Sequence, residues 1–192
     1  MKCRAILAGV IALFVVGCTT RISISRMDHA VVEHEATDGA VHPYPGLSPL
    51  QNASGPFVEV FFTAAADLEE IATQRTHHLY FHVVPCSQAS VGHYLVSGSV
   101  FAASAEEQSR ILGTAHPGEQ GLYKVYIPLD LKAVSERASF QGSLDVPSYV
   151  QAAKNDGLCM QLGGGQMWGA ALVTNLVSAP VVIRDDVLQV IQ

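Results

Sequence analysis

The residues of this chain whose types could do chemistry are four cysteines, at positions 3, 18, 86 and 159, and eight histidines. The histidines are densest in "HHLYFH", at His77, His78 and His82. On a strand His78, Tyr80 and His82 share one face. His78 and His82 then stand about 13 Å apart, too far to hold one metal ion unless a second strand, such as one carrying His93, supplies further ligands. The other reading of the run is a half-solvated polar strand face. His29, His34 and His42 fall among Glu33, Glu35 and Asp38, a composition that permits weak adventitious metal binding but does not indicate a defined site. "HEATD" at His34 lacks the second histidine of a zinc-protease helix, and no Gly-x-Ser-x-Gly nucleophile turn occurs. The glycines at 163–165 have no Lys-Ser or Lys-Thr behind them, so they read as a bend in or between strands rather than a phosphate cradle. The adjacent carboxylates Glu69-Glu70, Glu106-Glu107 and Asp185-Asp186 face apart on a helix or strand and read as solvated surface. The sequence therefore predicts no catalytic residue, no metal and no cofactor. An enzyme with His78, His82 or His93 as acid or base stays open as the rival.

Cys18 has a different setting. It follows thirteen apolar or small residues, at 5–17, which are preceded by Lys2 and Arg4 and followed abruptly by Thr19-Thr20-Arg21. That order of charge, apolar core and small residue is the order of a secretory signal. A helix of that length rises about 20 Å, short of the roughly 30 Å hydrocarbon core, so it is not expected to remain as a membrane span. Val15-Val16-Gly17-Cys18 resembles the lipobox of bacterial lipoproteins, over about the first twenty residues. The resemblance implies a signal peptide at 1–17 cut before Cys18, and acylation of Cys18 as a membrane anchor. Several acyl chains, each contributing about 0.8 kcal/mol per buried methylene, would hold the protein where one would not. In that family Asp after the cysteine favours the inner membrane. Thr19 stands there in this chain, which implies the periplasmic face of the outer membrane.

Loss of Lys2 and Arg4 with the signal leaves nine basic residues against seventeen acidic ones, a formal charge of −8 in place of −6. A surface so acidic argues against nucleic acid and anionic lipid as partners and is compatible with a basic protein. With Cys3 removed and Cys18 acylated, Cys86 and Cys159 are left as a pair in an oxidising compartment, and a disulfide between them is the simple expectation. A catalytic Cys86 beside a histidine is the alternative.

Residues 18–56, which begin with the lipidated N-terminus that the resemblance implies, show little periodicity and include "HPYPGLSPLQNASGP", which predicts a flexible tether, with a single domain at 57–192. There, β-branched and aromatic runs at 57–62, 79–84, 94–102, 122–127, 159–162, 167–173 and 181–183 alternate with turn signals. Prolines at 85 and 128 should stop two of these strands. Short helices are expected from Asp67 to about Arg75, from a capping box at Ser104 to Gly113, and from Pro147 to Lys154. The fold expected is mainly β or α+β: a small antiparallel β-sandwich-like domain with short helices. Trp168, the only tryptophan, follows the glycines and is either a core residue or an aromatic anchor for a partner. Compartment, charge and the thin catalytic inventory point to a non-enzymatic binding protein, such as an inhibitor or immunity protein against a toxin or hydrolase. A structural or assembly role in an envelope or secretion complex is the alternative.

Overall fold

The alternating apolar runs fold as strands. The computed structural model describes residues 20–32, 56–74, 78–87, 94–113, 121–129, 146–165, 171–184 and 187–191. One sheet has the order β1 (Thr20–Ile22), β9 (Ala171–Thr174), β8 (Leu158–Gly165), β4 (His78–Pro85), β5 (Val96–Ser99), with β10 (Val177–Ser178) also paired to β8. A second sheet runs β2 (Ile24–Val32), β3 (Phe57–Ala64), β7 (Leu122–Pro128), β6 (Phe101–Ala102), and β11 (Val181–Arg184) pairs with β12 (Val187–Val190). Every pairing is antiparallel except that of β1 with β9. β4 and β7 end on Pro85 and Pro128, as a residue without an N–H donor dictates.

The two large sheets face each other across one core. Val58, Val60 and Phe62 of β3 and Val125 and Ile127 of β7 meet Phe81 and Val83 of β4 and Met160 and Leu162 of β8, all fully buried. The period of two along each strand puts these residues on one face. The sheets are also joined along both edges, because β1 runs through Ser23 into β2 and β5 runs through Val100 into β6. At the first corner Asn175 replaces a peptide group: its Oδ1 accepts from Ile24 N at 2.7 Å and its Nδ2 donates to Ile24 O at 3.0 Å. The continuous chain at both corners therefore joins the two sheets into a flattened circuit.

Three described helices sit around it: α1 (Leu68–Gln74), α2 (Ala105–Leu112) and α3 (Val146–Asp156). Asp67 caps α1 by accepting from the backbones of Glu69 and Glu70 at 2.9 and 3.0 Å. The Ser104–Glu107 capping box of α2 is present in both directions. Gly157, at φ 77°, ends α3 and turns the chain into β8, a backbone shape few other residues adopt.

Two expectations change. The segment read as tether contains β1 and β2, which enter the two sheets; residues 33–55 lie outside the described residues. β2 gave no signal because it is an edge strand with mostly exposed side chains, Ser25 and Arg26 among them, so it needs no apolar alternation. The glycines at 163–165 do not bend between strands. They continue β8, paired to Tyr80, Leu79 and His78 on one side and to Val173, Leu172 and Ala171 on the other.

Candidate functional site

The outward face of the first sheet gathers the aromatic residues of the histidine run. Tyr80 and His82 share that face of β4, opposite Ser99 and Ser97 of β5 and opposite Gly163 and Gln161 of β8. The His82 ring stacks on Tyr94 with centroids 4.4 Å apart and planes at 24°, and the Tyr80 ring lies 5.4 Å from it, tilted by 60°. Gly163 makes room for this row, since a Cβ there would stand 3.0 Å from His82 Nε2. Tyr80 is 39 % exposed, one of the few large apolar side chains at the surface among the described residues. His82 Nδ1 is buried and has no hydrogen-bond partner among the described residues. Flat rings beside small neighbours make a surface that stacks or packs against a partner's ring or peptide plane.

Burial pushes the His82 imidazole down from 6.5 to about 4. Between those values the folded ring is neutral while the unfolded chain takes up a proton, so the stability this group contributes is complete above 6.5 and is lost as pH falls toward 4. The urea midpoint should therefore fall between pH 7 and pH 5, and His82→Phe should make that dependence shallower. An unchanged slope in the variant would refute the assignment.

The disulfide stands at the far end of the same strands. Cys86 and Cys159 are bonded with Cα atoms 5.0 Å apart, joining the end of β4 to β8 across 73 residues. Cys86 N also donates to Gly157 O at 3.1 Å, and Ser87 Oγ donates to Asp156. Cys86 is thus a structural half-cystine and not a thiol nucleophile.

No family model, curated protein or solved structure matches the chain. The residues themselves carry the reading. Cys18 and Trp168, the anchoring and aromatic candidates, lie outside the described residues, as do His77, His93, His34, His42 and Asp185-Asp186. His78 opens β4. His29 belongs to β2, with Nε2 3.2 Å from the Ile191 carbonyl oxygen, rather than to a tether. Among the described residues no three His, Cys, Asp or Glu side chains are grouped to hold a metal ion.

A charged cluster that sequence reading missed lies on the outward face of the second sheet. Lys124, 3 % exposed, places Nζ 2.8 Å from Glu107 Oε1 and 3.4 Å from Glu59 Oε1, and Tyr126 donates to Glu59 at 2.9 Å. Glu69, Glu70 and Glu106 are exposed as expected, but Glu107 is not solvated surface, because α2 lies on the sheet with this residue above Lys124. Burial alone would raise the Glu107 carboxyl. The bonds from Lys124 and Ser104 outweigh it and hold the group below the ordinary 4.5. The available signal was Lys124 itself, a lone charge in "LYKVYIP", a strand whose other residues are apolar on both faces.

Proposed function

We propose that the chain is a lipid-anchored binding protein of the bacterial envelope, at the periplasmic face of the outer membrane, and that it captures a protein partner as an inhibitor or immunity protein does. The observation that carries this reading is the row Tyr80, His82 and Tyr94, two of its rings held by strand β4, beside Gly163 and two serines. Binding energy concentrates in such rigid aromatic anchors, which lose little freedom on contact. The acidic sequence supports a basic partner, and the lipobox-like residues up to Cys18 support the compartment.

The test uses the acylated protein as bait against envelope fractions and secretions of neighbouring strains. A captured protein should bind Tyr80→Ala about 2 kcal/mol, or roughly thirtyfold, more weakly, with stability changed by no more than about 1 kcal/mol. A deletion strain should become sensitive to that protein. Capture of nothing at any salt concentration, or equal capture by Tyr80→Ala, would refute the proposal.

A further inference from the structure

We infer that the outer-membrane leaflet itself covers one particular end of the first sheet, so that the domain stands on the bilayer without a tether. The inference rests on the acylation of Cys18. β1 begins at Thr20, two residues after that cysteine, and two residues reach at most about 7 Å. Thr20 pairs with Leu172, which lies in line with Gly164 of β8 and Leu79 of β4. β1 runs parallel to β9, so its N-terminal end points to the side of Ala171, Gly165 and His78. Those three residues form the next row and mark the end that meets the headgroups. Arg21, exposed in β1, stands where a cation meets lipid phosphates.

The opposite end, where Pro85 pairs with Leu158, is seven residues farther along the strands from His78, about 23 Å away. The Cys86–Cys159 bond and the end of α3 therefore point into the periplasm. Tyr80 and Ser99 lie two rows from the membrane end, so a protein partner of the aromatic face would be met close to the lipid surface.

The experiment places one bimane fluorophore on the acylated full chain in phosphatidylethanolamine–phosphatidylglycerol vesicles carrying headgroup spin labels, through Ser99→Cys or through Asn155→Cys. Intact mass reports the acyl chains and the native disulfide. Quenching at Ser99 should exceed that at Asn155 several-fold, and a long Gly-Ser insertion after Thr19 should abolish the contrast. Acylated protein with equal quenching at both positions would overturn the orientation and leave the anchor intact. Contrast that survives the insertion would overturn the short lead as its cause. A mature chain without acyl chains that fails to float with vesicles would overturn the anchor and the orientation together.

Discussion

Lys124→Met should destabilise the protein by about 3 to 5 kcal/mol at neutral pH, because it leaves two carboxylates facing one another with no cation between them in a largely dry site. Glu59 and Glu107 are 12 % and 21 % exposed on their side chains, so water screens them poorly. The exposed Arg110–Asp28 pair, at 3.2 Å, should by contrast contribute under about 1 kcal/mol. The Lys124 penalty should also depend on pH. In the native protein Glu107 is held below 4.5, so its contribution is present above that value and is lost as pH falls through the folded value. In Lys124→Met, burial of Glu107 is opposed only by its bonds to Ser104, so acid relieves the variant while it weakens the parent. Denaturant midpoints of both proteins should converge as pH drops from 7 toward 4. A loss under about 1 kcal/mol, or a gap that widens in acid, would refute the buried cluster.

The second large effect belongs to the disulfide. Cross-linking residues 73 apart removes roughly 4 kcal/mol of denatured-state entropy in the chain-entropy account. Cys86→Ala with Cys159→Ala should lower stability by about that much, a large share of the 5 to 15 kcal/mol typical of a domain. The paired ladder of β4 and β8 should survive, since its eight register pairs depend on backbone bonds. Equilibrium unfolding in guanidinium checks the loss. Midpoints that coincide with those of the oxidised parent would refute the assigned contribution.

Strands were legible where burial is one-sided or complete. Val58, Val60 and Phe62, or Phe81 and Val83, repeat every second residue because they line one core. Short helices were legible through their ends, since Asp67 and Ser104 answer backbone donors that no turn of helix can satisfy. β2 was not legible, because an edge strand takes its order from a partner and not from its own pattern. Gly163 misled for a related reason: a glycine reads as a break, yet here it admits the neighbouring His82 ring. His82 and Tyr80 could be placed on one face from spacing alone. The stacking of Tyr94 could not, since it depends on how β5 lies against β4.

The closed strand circuit also sets an order of events in time. Thr20 of β1 pairs with Leu172, and Ile24 meets the Asn175 amide 151 residues later in sequence. The first of these strands to be synthesised therefore waits for nearly the last before its edge is covered. Pairing across such sequence distance is slow, because loop closure comes before the contacts that reward it. Until β9 arrives, β8 also lacks the neighbour it has along 163–165. The newly made chain thus passes through an interval with open strand edges, in which holdase protection matters most.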